Sequence, residues 1–422
     1  MRVLEEEWYH LDNVAKVFLA THDKRDTRTL RVSCVLKENI DRDLLKKALA
    51  STIAIRPQFQ VRIRRGIFWH YVETTDVKPN VIEEYGRPCP ILYGKNYNGV
   101  LHYQVSYYNN RINFDLFHAL SDGTGAYEFL NILVKFYLSY KYPGELDNVV
   151  VQNGADADSL LQDGFKQFYN KSASLVELDT KRPKKAFQIK GRHLPFYQLQ
   201  FFEVHLPASK VRQMAKDMQV GLTSYIGARM MMAIQKSMPL ASSKKPVTIS
   251  MPVNLRNYYP SDTNRNFFNN IDISHVFKAD ETLESIAREY DAAMKTALEP
   301  DHIKHQMDHY ELLENVVITR LVPLALKQPV VRFFAKKRSK TVSAVLSNLG
   351  AMKVPEEIQK YIQYYSAFCA ADKLFMTSST FGDDMVLGIS WPYIGTSVIK
   401  NFVRGFQKEG IDVRVAATEV VR

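Results

Sequence analysis

The sequence predicts an α+β fold of mixed sheets layered with helices and arranged as two halves of similar plan. Three observations carry that expectation. At 422 residues the chain exceeds what one hydrophobic core comfortably holds, so two domains come first. Segments with period-two alternation and segments with helical spacing succeed one another along its length, and the order strand, helix, strand returns after the midpoint. Between the two series, the polar and basic stretch from Asp179 to Pro195 has the composition of a linker. The expected units are therefore 1–185 and 186–422.

In the first unit, Leu30 to Lys37 alternates as a strand. Asp41 opens a helix with Leu44, Leu45, Ala48 and Leu49 on one face, and Phe59 to Ile63 alternates again. Arg111 to Phe117 reads as the second arm of a hairpin turning at Asn109-Asn110, and Ala126 to Tyr140 has helical spacing. In the second unit, Gln198 to Leu206 is a strand and Pro207-Ala-Ser209 opens a helix through Met218. Leu222 to Met238 is a Met-rich helix whose Met230-Met231-Met232 is core packing, and Pro246 to Pro252 is a strand. Ser343 to Leu349 follows as a short strand, then a hairpin of Lys373–Phe381 and Met385–Trp391, then a helix from Gly395 to Phe406. The apolar stretch Val316 to Phe334, broken by Pro323 and Pro329, admits two readings: a buried helical hairpin, or a lid or membrane-touching face for an apolar substrate.

Composition excludes several classes. A hydrophobic fraction of 46% with 24% charged residues is ordinary for a soluble globular protein. The acidic start Met1-Arg-Val-Leu-Glu-Glu-Glu-Trp8 is unlike a signal peptide, and no apolar run reaches the roughly 18 residues that cross a bilayer. Cys34, Cys89 and Cys369 are odd in number and scattered, which supports neither a disulfide framework nor a cysteine zinc site. A cytoplasmic location is the expectation. The net charge of +11 favours anionic partners, whether phosphates, acidic proteins or lipid headgroups. Its clusters at 181–185, Lys244-Lys245 and Lys336-Lys-Arg338 lack interleaved aromatics, so solvated loops are expected and nucleic acid is not.

The most informative residues are His118-Ala-Leu-Ser-Asp122-Gly123, directly behind the Arg111–Phe117 strand. They order the chain as strand, imidazole, turn, helix, with Gly123 and Gly125 permitting close backbone approaches. An imidazole titrates near neutral pH and can take a proton from an attacking hydroxyl, amine or thiol. Asp122 lies close enough to orient His118, and is equally able to pair with an arginine and hold the loop. Of the rival constellations, His302, His305 and His309 with Asp301 and Asp308 put imidazoles near one helical face, where solvated histidines are expected ahead of zinc. Ser121 and Ser347 lack a GxSxG elbow, so a hydrolase triad has little support.

HxxxDG at His118–Gly123, placed after a strand in the first half of the chain, resembles the chloramphenicol-acetyltransferase-like superfamily, which includes condensation domains and HxxxD acyltransferases. Other segments agree in order. Ile55-Arg-Pro-Gln-Phe59 resembles the early arginine motif of condensation domains, and Met251-Pro-Val-Asn-Leu-Arg256 their later Pro-Val…Arg segment. Asn266-Phe-Phe-Asn-Asn270 is similar to the Phe/Asn motif that follows, and Ser347-Asn-Leu-Gly350 to a strand-end motif of the acyltransferase branch. Trp8-Tyr-His-Leu-Asp-Asn13 looks like the amino-terminal signature of bacterial alcohol-acetyltransferase-like members.

The resemblance implies a pseudo-dimer of two chloramphenicol-acetyltransferase-like domains with a tunnel at their junction. It implies that His118 is the general base, and that Asp122 turns away from it to pair with Arg256 beside Gly123. Ser347, Asn348 or main-chain amides would supply donors to an oxyanion. The implied activity is acyl-CoA-dependent O- or N-acyl transfer to a small-molecule alcohol or amine, with no metal and no permanently bound cofactor. Acyl carrier protein is the alternative donor, and a non-catalytic scaffold the alternative role. Two departures narrow the branch: Phe117 stands where condensation domains usually place a first His, and no DFGWG motif is present, Phe381-Gly382-Asp383 being only a fragment at a turn.

Overall fold

The computed structural model describes residues 8–94, 99–146, 157–168, 184–196, 198–315 and 322–418. The first part of the chain forms β1 (Trp8–His10), β2 (Thr29–Leu36), β3 (Val61–Arg65), β4 (His70–Thr74), β5 (Val81–Glu83), β6 (Tyr103–Tyr108) and β7 (Arg111–Phe117), with helices α1 (Asn13–Thr21), α2 (Arg42–Ile55) and α3 (Gly123–Lys141). The second forms β8 (Gln200–Pro207), β9 (Val247–Asn254), β10 (Phe268–His275), β11 (Ala344–Ala351), β12 (Ile362–Cys369), β13 (Phe375–Phe381), β14 (Asp384–Trp391) and β15 (Arg414–Ala417). These make a small sheet β1-β4-β3, a five-stranded sheet β12-β2-β7-β6-β5 and a seven-stranded sheet β10-β9-β11-β13-β14-β8-β15.

In the first lobe α2 and α3 cover the five-stranded sheet. Leu45, Ala48 and Leu49 meet Phe129, Leu130 and Leu133 over Val32, Phe114 and Leu116 in one core. Asp41 caps α2, its Oδ1 accepting from Asp43 N at 2.8 Å and Leu44 N at 3.0 Å. The hairpin turn falls at Asn109-Asn110, where Asn109 takes φ +50°, a region Asn tolerates better than most residues. In the second lobe the Leu222–Gln235 helix carries Met230 and Met231, both fully buried, onto the seven-stranded sheet.

The two lobes share a strand. β12 pairs antiparallel with β2, so residues on the C-terminal side of position 186 complete the first lobe's sheet. Side chains of the seven-stranded sheet then reach the β12 backbone: Thr377 Oγ1 donates to Ala367 O, and Ser379 Oγ to Tyr365 O at 3.0 Å. Gly388 permits this approach, because an added Cβ would overlap the Ala367 carbonyl oxygen. Arg111 of β7 also clamps Glu203 of β8 bidentately, at 2.7 and 2.8 Å.

Three elements differ from the sequence reading. Alternation in β2 is real, yet its polar face is buried too. Arg31 holds Asp115 bidentately at 2.8 and 2.6 Å and reaches Glu84, while Ser33 donates to Asn113 Oδ1 at 2.7 Å. The strand expected at Phe59–Ile63 starts at Val61, because Pro57–Phe59 forms a 3₁₀ turn with Pro57 at its first position. Within the apolar stretch 316–334, residues 316–321 lie outside the described residues, and from Leu324 to Ser339 the chain is one helix running through Pro329. Leu326, Val330, Phe333 and Phe334 on that helix are exposed, so this described part of the stretch is not buried. Of the expected linker, 184–196 packs without regular structure, Phe187 N donating to Pro246 O at 2.7 Å, and 179–183, which include most of the 181–185 basic run, lie outside the described residues. No helix among the described residues is long and apolar enough to cross a membrane.

Candidate active site

β7 ends at Phe117, whose ring is buried and stacked on Tyr93 at 4.7 Å. This apolar anchor, standing where a first His was looked for, fixes the strand end, and the next residue is His118. Its backbone N–H donates to Arg28 O at 2.8 Å. Arg28 presents that carbonyl from a left-handed backbone, φ +53°, an unusual conformation for a non-glycine residue. The imidazole is half-buried between Phe18 of α1, at 4.6 Å between centroids, and Phe268 of β10, at 5.9 Å.

The ring is oriented by a chain of side chains from distant parts of the sequence. His118 Nδ1 lies 3.2 Å from Asn266 Oδ1, and Asn266 Nδ2 donates to Asp12 Oδ2 at 3.3 Å. Asp12 in turn caps α1 by accepting from Ala15 N at 2.7 Å, and lies 3.8 Å from the Arg265 guanidinium. An ionised Asp12 only accepts, so Asn266 must turn its NH₂ toward it and its carbonyl oxygen toward His118. The Nδ1 position therefore carries the proton, and Nε2 keeps its lone pair, with no partner among the described residues. Burial pushes the His118 pKa below the ordinary imidazole value, with Arg28 adding to the effect and Asp122 opposing it. A neutral ring with a free Nε2 is the form that accepts a proton.

Asp122 turns the other way. Its Oδ1 caps α3, accepting from Thr124 N and Gly125 N at 3.1 Å each. Its Oδ2 accepts from Arg256 Nη1 at 2.8 Å and from Phe267 N at 3.0 Å. Arg256 spends its remaining N–H groups on Thr263 O, Arg265 O and Asn254 Oδ1. The pair thus ties the turn after β7 to the loop between β9 and β10. Gly123 faces Leu349, with an added Cβ 3.0 Å from Leu349 Cδ2. Gly125 is tighter, since its added Cβ would overlap Ser121 Oγ and lie 2.8 Å from Asn264 O. Arg56 and Gln58 of the early arginine motif join the same junction: Arg56 pairs with Glu128 at 2.6 Å, and Gln58 Nε2 donates to Asn264 Oδ1 at 2.7 Å.

The strand end at β11 lies across from α3 through Leu349. Ser347 is half-buried and Asn348 exposed, with Asn348 Nδ2 donating to Thr223 Oγ1 at 2.8 Å and its Oδ1 accepting from Gly350 N at 2.9 Å. His302 and His305 sit on an exposed helical face, and the His309 side chain lies outside the described residues. A different group, His275, Glu281 and Glu289, has ligand atoms within 4.8 Å of one another; His275 Nε2 lies 2.9 Å from Glu281 and its Nδ1 3.1 Å from Glu289, so both ring nitrogens are engaged. Asp12 and Asn266 fall in segments that carry motifs, but nothing in the sequence gives either residue a role.

No protein-family model matches the sequence, and no curated protein matches it. Solved structures do. The first condensation domain of the calcium-dependent antibiotic synthetase, in complex with a substrate analogue, gives a TM-score of 0.63 at 14% identity, covering 95% of this chain and 96% of that one. The fold is that of the condensation domains. Trichothecene 15-O-acetyltransferase from Fusarium sporotrichioides shares this two-lobed fold, with a TM-score of 0.60 at 11% identity over 94% of both chains. So does a variant of the starter condensation domain of rhizomide synthetase in complex with C8-CoA, at 0.61 and 12% identity over 95% of this chain and 94% of that one. The α+β arrangement of two lobes expected from the sequence is the one observed.

Proposed function

We propose that this protein is an acyltransferase that moves an acyl group from a thioester, acyl-CoA in the first instance, to the hydroxyl or amine of a small molecule. The observation that carries the reading is the state of His118: neutral, Nδ1 held by Asn266, Nε2 unspent, in a partly open position. Nε2 takes the proton from the acceptor O–H or N–H as the oxygen or nitrogen attacks the thioester carbonyl. The tetrahedral oxyanion collapses, the C–S bond breaks, and the leaving thiolate recovers the proton from the imidazolium. No residue of the chain is acylated in this sequence.

Asp122 and Arg256 act structurally, fixing the turn that delivers His118. Gly123 keeps the start of α3 close to Leu349. Ser347, Asn348 or main-chain amides near the β11 end supply the oxyanion donors. A tunnel between the lobes would let donor and acceptor enter from opposite faces, and a carrier-bound thioester meets the same chemical need as acyl-CoA. The neighbour solved with C8-CoA supports a site for acyl-CoA in a fold of this kind. The test is to incubate the purified chain with mixed acyl-CoAs and a panel of alcohols and amines, and to search for acylated products by mass spectrometry. Products that vanish in His118→Ala support the reading. Undiminished transfer by His118→Ala, or no transfer from any CoA or carrier-protein thioester, overturns it and leaves a scaffold of the same shape.

A further inference from the structure

The helix Leu324–Ser339 presents an apolar row outward. Leu326, Val330, Phe333 and Phe334 recur at helical spacing on the face opposite the buried Leu324, and its N-terminus is tied to the β3–β4 hairpin tip by Leu324 N donating to Ile67 O at 2.8 Å. At that tip Ile67 and Phe68 are exposed as well, so six large apolar side chains stand between 41% and 75% exposed on two joined elements. This is more than the scattered apolar surface of an ordinary soluble domain.

The charge carried by the helix itself has one sign. Residues 324–340 include Lys327, Arg332, Lys336, Lys337, Arg338 and Lys340 and no Asp or Glu. Arg338 pairs with Asp272 at 2.7 Å and Arg332 holds Ala20 O, while Lys336, Lys337 and Lys340 are exposed, as is Arg65 beside the hairpin tip. Lys327 lies 3.3 Å above the Trp69 ring, bracing the helix against the hairpin. We propose that this face, the outward side of the Leu324–Ser339 helix with the Ile67-Phe68 tip, docks on an anionic lipid bilayer.

Two features favour a bilayer over a protein partner. The apolar groups project from a helix and a hairpin tip, a convex shape that fluid acyl chains accommodate and that a protein would have to match with a dedicated groove. Lysine ammoniums flanking the row reach headgroup depth while the aromatic rings enter the acyl boundary, the arrangement of an interfacial helix. A second copy of the chain would set the same cations against each other. The surface is one helix away from the candidate base: α1 lies beneath it, held by Arg332 on Ala20 O, and turns Phe18 onto His118. The docking proposal stands whether or not the acyl-transfer reading holds.

The experiment is sedimentation of the full chain with vesicles of phosphatidylcholine alone or with phosphatidylglycerol, at low and high salt. Binding to the phosphatidylglycerol vesicles that weakens with salt is expected. Phe333→Ser with Phe334→Ser should lower the partition coefficient at least about tenfold. Lys336→Gln and Lys337→Gln should each lower it about fivefold. Unchanged melting temperatures would establish that the variants fold, as the exposure of these side chains predicts. The proposal is overturned by failure to bind phosphatidylglycerol vesicles, by equal binding to phosphatidylcholine alone, or by binding that survives the double Phe substitution, which would be the diffuse pull of a +11 chain. A dimer in solution that the double substitution dissociates would also overturn it, assigning the face to a second copy.

Discussion

Replacing Asp122 by Asn changes one oxygen to an NH₂ group and should cost far more than its size suggests. Asn retains an oxygen for the α3 cap, so the bonds from Thr124 N and Gly125 N survive. The other atom is then an NH₂ facing Arg256 Nη1, formerly at 2.8 Å, and Phe267 N, formerly at 3.0 Å, so donors meet donors. The two side chains are only 6% and 13% exposed, so water cannot replace the lost carboxylate, and stranding one member of such a pair costs about 3–5 kcal/mol. Urea unfolding followed by circular dichroism measures the loss. Arg256→Met should show a comparable loss, because it strands the Asp122 carboxylate. The double variant should fall short of the sum by about 1–3 kcal/mol, the coupling expected of contacting residues. A cost below about 1 kcal/mol for Asp122→Asn, or additivity in the double variant, would refute the claim that this pair joins the lobes.

His118→Ala should lower kcat/KM by about 10²–10⁴, the usual contribution of a positioned base. Because burial pushes the His118 pKa down, the neutral ring persists as pH falls, so the acid limb of kcat/KM in the intact protein should lie below the ordinary imidazole range. Asn266→Ala removes the bond that favours the charged ring and fixes the proton on Nδ1; the acid limb should move lower still, and kcat/KM should drop about tenfold, the worth of one hydrogen bond. An unmoved limb would remove Asn266 from the argument. Burial pushes Asp12 up to about 6, above its unfolded value of 3.8, so the folded state binds that proton more tightly. The resulting stability is present below pH 4 and lost as pH rises through 6, so thermal melts of the intact protein should decline relative to Asp12→Asn across that window, and parallel curves would count against it. Gly125→Ala should cost about 1–3 kcal/mol by overpacking against Ser121 and the Asn264 backbone, whereas Gly123→Ala meets only a leucine methyl that can rotate; equal losses in chemical denaturation would contradict this ranking.

What the sequence made legible was local. His118 at a strand end, the hairpin turn at Asn109-Asn110 and the paired strands Phe375–Phe381 and Asp384–Trp391 all follow from periodicity and turn chemistry within about a dozen residues. The shared strand did not, because nothing inside Ile362–Cys369 says that it pairs with Thr29–Leu36 at the far end of the chain instead of with its neighbours. Nor did the Asp12–Asn266–His118 chain, whose first two members are 254 residues apart and meet only once both lobes have formed. The outward apolar row was legible as apolarity but not as exposure, since helical spacing gives a face without saying what covers it.

The two ionisable groups of the HxxxDG segment need opposite treatment, and the structure separates them by charge. A carboxylate against the imidazole would raise its pKa and so shrink the neutral fraction that can act as a base. Asp12 therefore orients His118 through a neutral amide, transmitting direction without contact of charge. Asp122, only four residues away, opposes the downward shift of His118, and Arg256 sits on its carboxylate oxygen. The guanidinium that holds the lobes together thus also offsets the field of the Asp122 carboxylate. A latch made of two apolar side chains would join the lobes equally well, but it would leave the α3 N-terminus and the Phe267 amide without their acceptor. The ionic latch is what the geometry of the turn requires, and a neutral base four residues away is what its completed charge balance permits.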